Sequence, residues 1–291
     1  MTNNIFCEPR VGFVAHTAES SALVRDKGTM NWIGYTVEES FPASAKVVEA
    51  TEKYKGSEEK NHCAWNIAFD TELPIFEYLV HQPDRAGRFA ETMKALTTSE
   101  GYNVRHVLAG YSWESIGHGT VVDVGGSIGH TSIALAEKFP DLKFVVQDFP
   151  DIVAAGESSL PSALKDRITF QAHDFFTPQP VHADAYFLRF ILHDHSDQRA
   201  VDILKNLLPA FKPGSKLLVM DAVLPEPGTM PKTEERQVRL MDLEMMTNFN
   251  SKERDIEDWQ DLFTRADPRL KIRQVNKPPG SVNSIIEASI E

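Results

Sequence analysis

Two textures of apolar spacing run along the chain, and they meet near Tyr111. Upstream, Trp32, Ile33, Val37, Phe41, Ala45 and Val48 recur at near-helical spacing within residues 30–54, and residues 72–80 and 84–108 follow the same rule. That period predicts helices, separated by short polar or glycine breaks at Gly56-Ser57 and Glu100-Gly101. From Thr120 onward, β-rich runs alternate with amphipathic stretches. Strands are expected over 120–124, 143–148, 168–172, 185–190 and 216–220, with a closing pair over 271–275 and 283–288. Helices are expected over 131–139, ended by Pro140, and over 198–211, closed by Lys212-Pro213-Gly214. Two more are expected over 234–247 and 256–266. Such alternation predicts an α/β fold with a mainly parallel sheet and helices on both faces, in residues 111–291. A mainly helical segment, 1–110, precedes it. In that architecture ligands sit at the carboxyl ends of the strands, so the chemistry is sought just after each one.

Composition narrows the partners. Apolar residues make up 42% of the 291, enough for a packed core. A formal net charge of −12 removes the expectation of a phosphate-tracking surface, so no nucleic-acid partner is expected. The same acidity suits a cationic ligand such as a sulfonium. Cys7 and Cys63 are far apart and lie in no metal-like spacing, which reads as free thiols in a reducing compartment. There is no apolar run of signal-peptide length at the start and none near the ~20 residues a membrane helix needs. A cytoplasmic protein with no membrane partner is the expectation.

The loop after the first β-rich run, Asp123-Val-Gly-Gly-Ser-Ile-Gly129, carries the first chemistry. Gly125, Gly126 and Gly129 permit a tight turn and close approach of a ligand to backbone, and the helix that follows offers free N–H groups. A glycine-rich turn alone is weak evidence. Asp148, ending the second strand, strengthens it, because a carboxylate there can accept both hydroxyls of an adenosine ribose. A nicotinamide dinucleotide fits less well: its fingerprint would need glycine where Val124 stands, and Asp123 would face a pyrophosphate. Asp123 suits an ammonium, and S-adenosylmethionine carries an amino acid at that end. Asp174, in His173-Asp-Phe-Phe176, is placed to face the adenine side, although a loop aspartate is often only a turn or cap residue.

His193 follows the fourth strand, in Arg189-Phe-Ile-Leu-His-Asp-His195. Its near-neutral pKa suits proton abstraction. Asp221, ending the next strand, and Glu253 are two carboxylates that could fix its tautomer and stabilise the imidazolium. A lone histidine here could equally be structural. With Asp194, His195 and Asp197 it could also ligate a metal, but the two histidines alternate to opposite sides and Ser196-Asp197 starts a helix. No metal is therefore expected.

Taken together, Val-Asp-Val-Gly-Gly, Gln-Asp-Phe-Pro, His-Asp-Phe-Phe, Arg-Phe-Ile-Leu-His-Asp and Ser-Lys-Glu-Arg-Asp-Ile-Glu-Asp-Trp resemble the caffeate/flavonoid-type O-methyltransferases, and most of all their fungal secondary-metabolite relatives. The resemblance spans nearly the whole chain. It implies a Rossmann-like methyltransferase fold with a seven-stranded sheet, S-adenosyl-L-methionine as cofactor with S-adenosyl-L-homocysteine as product, and a small aromatic acceptor. It also implies Gly125 at the methionine moiety, Asp148 at the ribose, Asp174 and Phe175 flanking the adenine, and Arg189 where the family usually has a lysine. His193 matches the general base, with Asp221 and Glu253 as its acidic partners. Phe89, Met93, Phe190 and Asn248 match positions lining the acceptor pocket; from spacing alone, Phe89 and Met93 read as helix core.

The chain departs from the family pattern in three places. His195 stands where the family has tryptophan, Asp221 is one carbon shorter than the usual glutamate, and the chain is expected to start at the end of the family's winged-helix dimerisation region. Residues 1–110 would then hold a remnant of that region plus substrate-lining helices, and a homodimer is an open expectation. Three functions follow for test: methyl transfer to a phenolic hydroxyl, pericyclic or dehydration chemistry on the same cofactor-binding fold, or a non-catalytic binding partner.

Overall fold

In the computed structural model, which describes residues 2–291, strands β1 (Phe6–Arg10) and β2 (Phe13–His16) pair as an antiparallel hairpin ahead of a run of helices. The chain divides into two compact units. The first comprises residues up to Ser57, Asn61–Ser99 and Thr247–Phe249. Its helices pack on a small core of Ala43, Cys63, Trp65, Ile75 and Leu79, edged by Phe89 and Phe249. The helical stretch expected over 30–54 is broken there. Helix Lys27–Tyr35 runs into a π-turn, Thr36–Ser40, before the helical segments Phe41–Ser44 and Val47–Tyr54. Pro42 has no N–H to donate back into the preceding turn, and widening that turn absorbs the lost bond. Glu39, on this turn, is buried and paired with Arg85 and Arg88. The apolar stripe that periodicity marks is largely at the surface: Trp32, Ile33, Val37, Phe41 and Val48 are all exposed in the chain.

The second unit holds a seven-stranded sheet. Its strands are β3 (Thr120–Val124), β4 (Lys143–Asp148), β5 (Ile168–Ala172), β6 (Ala185–Arg189) and β7 (Lys216–Asp221), then β10 (Leu270–Asn276) and β11 (Ser284–Ile290). Between these, β8 (Val223–Leu224) and β9 (Arg254–Asp255) make a short separate parallel ribbon. The sheet order is β10-β11-β7-β6-β3-β4-β5, parallel from β7 to β5, with β11 antiparallel to both β7 and β10. This is the Rossmann-like methyltransferase arrangement. The chain leaves β3 toward β4 and β5, then returns to build β6 and β7 on the other side. The crevice therefore opens where β3 and β6 end.

Period-two alternation fills both faces. Val122, Val124, Tyr186, Leu188, Leu217 and Val219 pack with Ile203, Leu204, Trp259 and Phe263 from the helices Asp197–Leu207 and Ile256–Ala266. Val121, Phe144, Val146, Phe187, Leu218 and Met220 pack with Leu135, Ala136 and Trp113 on the opposite side. The central strands carry polar groups at or next to their carboxyl ends: Asp123 in β3, then Asp148, Arg189 and Asp221. Among the described residues no helix is long and apolar enough to cross a membrane.

Candidate active site

The loop between β3 and the helix His130–Lys138 is shaped by its glycines. Gly125 has a φ of 69°, and a Cβ there would run into Ile191. A Cβ on Gly126 would lie 2.6 Å from the Asp123 carboxyl carbon, so backbone and carboxylate meet only because that atom is missing. Gly129 is the residue before the first helical turn. The loop is tied down by the Gly126 N–H on Gln147 O and the Ser127 N–H on Asp148 Oδ2, at 3.0 and 2.8 Å. The other Asp148 oxygen accepts the Phe149 N–H at 2.8 Å.

Asp123 is buried and accepts the Ser132 hydroxyl at 2.6 Å. Burial pushes its carboxyl up to about 6, against the pull of Ser132 and Arg189. A buried carboxylate in that condition gains from an arriving cation. Arg189 is buried as well. Its guanidinium donates to Tyr102 O and to Thr131 Oγ1, while Nε has no partner among the described residues. Burial lowers its pKa to about 10, opposed by Asp123 and Asp221. Asp174 closes a local turn by accepting the Phe176 N–H at 2.9 Å. The Phe175 ring comes within 3.8 Å of where a Gly125 Cβ would stand. The glycine cradle, the buried Asp123 and the free lone pairs of Asp148 fit the amino-acid and ribose ends of S-adenosylmethionine.

His193 sits on a short 3-10 turn, Leu192–Asp194, and is 7% exposed. Its Nδ1 lies 2.9 Å from Glu253 Oε1, and Nε2 lies 3.5 Å from Asp194 Oδ1. Burial alone would depress the imidazolium, but Glu253, Asp194 and Asp221 outweigh it and hold the pKa well above the usual histidine range. Asp221 is fully buried, and its Oδ1 accepts the Phe190 N–H at 2.9 Å. That bond fixes Phe190 at a φ of 57°, a left-handed conformation that an aromatic residue seldom adopts. The turn brings the Phe190 ring to 5.6 Å from the His193 ring. Asp221 thus acts on the backbone beside His193, and Asp194, weighed from sequence only as a metal ligand, faces the second ring nitrogen.

His195 turns away, edge-on to Phe175 and Phe176, and Asp197 pairs with Arg254 at 2.8 Å. Among the described residues no group of three or more His, Cys, Asp and Glu could hold a metal ion. In the first unit, Phe89 packs edge-on against Tyr35 and Phe76, and Asn248 donates to the Tyr35 hydroxyl at 3.2 Å. Met93 is half-buried on the same helix as Phe89, Pro83–Thr98.

Residues 53–267 match a family model described as an O-methyltransferase domain. The chain belongs to the O-methyltransferase family. It is an S-adenosylmethionine-dependent enzyme of the plant-type branch. It is 44% identical to the O-methyltransferase VdtC of Byssochlamys spectabilis, over 99% of this chain and 68% of that one. Among solved structures, it resembles an O-methyltransferase from neocarzinostatin biosynthesis in complex with S-adenosylmethionine and 2-hydroxy-5-methyl naphthoic acid. That likeness has a TM-score of 0.77 and 25% identity, over all of this chain and 82% of the other. It also resembles a pericyclic reaction enzyme, with a TM-score of 0.78 and 26% identity, over all of this chain and 74% of the other.

Proposed function

We propose that this O-methyltransferase methylates a hydroxyl of an aromatic, phenolic or polyketide-type secondary metabolite, with His193 as the general base. The observation that carries the reading is the buried His193–Glu253 pair, 2.9 Å apart, beside a glycine loop that suits the methyl donor. S-Adenosylmethionine supplies an electrophilic methyl group on a sulfonium. The residues proposed to hold it are Gly125, Gly126 and Gly129 along the methionine moiety and Asp123 at its ammonium. Asp148 is assigned to the ribose hydroxyls, because a carboxylate has about four acceptor positions and only two are used by backbone. Asp174 and Phe175 flank the adenine, and Arg189 balances the charge of Asp123 and Asp221.

On the acceptor side, Phe89, Met93, Phe190 and Asn248 are assigned to an aromatic ring and its polar substituents. A phenol of pKa ~10 is mostly protonated at neutral pH. As its oxygen forms a bond to the methyl carbon, the carbon–sulfur pair leaves with sulfur and the O–H proton passes to His193. Glu253 keeps the imidazole in one tautomer and stabilises the cation that forms. Because the carboxylates raise the proton affinity of His193, the base is strong but already protonated at low pH. Methyl transfer should therefore increase as pH rises above neutrality toward the raised His193 pKa of about 10. Proton removal contributes roughly 10²–10⁴ in rate, with positioning of the two substrates supplying much of the rest.

The likeness to a pericyclic reaction enzyme supports a second reading, in which the bound cofactor promotes a reaction without losing its methyl group. Purified protein incubated with methyl-labelled cofactor and a panel of polyphenols separates the two. Methylated product with one S-adenosylhomocysteine per turnover supports methyl transfer. Product formed without S-adenosylhomocysteine overturns it in favour of the second reading.

A further inference from the structure

One short segment braces the whole turn that carries His193. Ser251 Oγ lies 2.6 Å from His193 O and 2.7 Å from His195 O. Arg254 Nη1 donates to Leu192 O and Nη2 to His195 O, both at 2.8 Å. Its Nε donates to Asp197 Oδ1 at 2.9 Å, across the first residue of the helix Asp197–Leu207. Between them stands Glu253, bonded to the imidazole itself. Glu253 is in turn held through its own N–H, which donates to Asp242 Oδ1 at 2.9 Å. Three carbonyls and the ring of one four-residue stretch are thus engaged by residues 251–254.

Their burial makes this more than surface decoration. Arg254 is fully buried, with its cation 5.4 Å from the Trp259 ring. Placing a guanidinium there carries a desolvation cost that only a full set of acceptors offsets. A tight turn satisfies few of its own carbonyls, so side chains reaching in from another part of the chain decide its conformation. The turn's own bonds are long, at 3.2 Å from the Asp194 N–H to Ile191 O and 3.3 Å from the His195 N–H to Leu192 O. The bonds from Ser251 and Arg254 are shorter than either. The clamp, more than the turn, sets where the His193 ring points.

We propose that Ser251 and Arg254 are positioning residues for methyl transfer, locking the Leu192–His195 backbone so that the imidazole of His193 stays in register with Glu253. This inference rests on the assignment of His193 as the base. The groups facing His193 are Glu253, Asp194 and Asp221. A turn that relaxes away from residues 251–254 loosens the Glu253 contact with it, since that bond joins the same two segments as the clamp.

The test uses Ser251→Ala, Ser251→Thr and Arg254→Lys in the full chain, with two readouts: kcat for an accepted phenol and the titration of His193 by NMR of labelled imidazole nitrogens. Ser251→Ala should lose about 10- to 100-fold in kcat, the scale expected of a misplaced catalytic group. Cofactor affinity by calorimetry should stay at the wild-type value, and the His193 midpoint should fall. Ser251→Thr, which keeps the hydroxyl, should recover most of the rate. Arg254→Lys should move both readouts further; if it does not fold, Ser251→Ala carries the test alone. A folded Ser251→Ala protein with wild-type kcat and an unmoved His193 midpoint overturns the proposal. If His193→Ala itself proves active, the base assignment fails, and the NMR midpoint in Ser251→Ala still decides whether the clamp exists.

Discussion

Replacing Glu253 with glutamine removes one charge and almost nothing else. The amide oxygen can still accept from the His193 Nδ1–H, so the ring keeps its tautomer and orientation. What goes is a carboxylate whose Oε1 lies 2.9 Å from the ring nitrogen, with both side chains buried. Unit charges about 4 Å apart interact by ~4 kcal/mol at the effective dielectric suited to protein sites. One pKa unit corresponds to ~1.4 kcal/mol, so the His193 midpoint should fall by about 3 units. Asp194 and Asp221 remain and keep part of the upward shift. The assay is the pH dependence of kcat/KM for an accepted phenol. The acid limb should move to lower pH by that amount, while the alkaline plateau drops by ~10²-fold because the imidazolium has lost its counter-charge. Stability should respond with a definite sign. A histidine with a raised folded pKa contributes stability that is complete below its unfolded value of ~6.5 and lost as pH climbs through the folded value. Glu253→Gln should remove most of that acid-side contribution. An acid limb with an unchanged midpoint would refute the electrostatic argument.

Asp148→Ala should weaken cofactor binding ~30-fold by calorimetry, taking ~2 kcal/mol for charge-assisted bonds to a carboxylate. Unchanged affinity would remove Asp148 from the cofactor site. Since the proposed base needs no Lewis acid, dialysis against a chelator should leave the methylation rate at its starting value; a loss restored by one divalent metal would require a different mechanism.

The strands of the sheet were legible because they are β-rich runs, apolar at the centre of the sheet and alternating at its edges, and β3 to β5 lie over the expected residues. Helix Pro150–Ser159 was not anticipated, since only Val153 and Gly156 are buried on it and the pattern is too faint. The hairpin of β1 and β2 escaped for a related reason: nearly every residue in it is exposed, so no face alternates. The upstream stripe shows the reverse case. Periodicity reported an apolar helical face but not whether the chain itself covers it, and Trp32, Val37 and Phe41 are exposed.

At the site, residue types were readable and partnerships were only partly so. Glu253 meets the His193 ring across 60 positions of sequence, as its chemistry suggested. Asp221 spends its hydrogen bond on the Phe190 amide and so holds that residue in a left-handed conformation that nothing about a phenylalanine announces. Ser251 and Arg254 act on backbone carbonyls, and carbonyls leave no trace in a sequence.

The central claim is that His193 takes the proton of the acceptor hydroxyl, and the most direct measurement is the single-turnover methylation rate of His193→Ala across pH. Near neutral pH the variant should fall ~10²–10⁴-fold below wild type. The deficit should shrink as pH passes the acceptor's own pKa of ~10, where the phenol ionises without help. A variant that methylates at the wild-type rate at pH ~7, where the phenol is still protonated, would contradict the account.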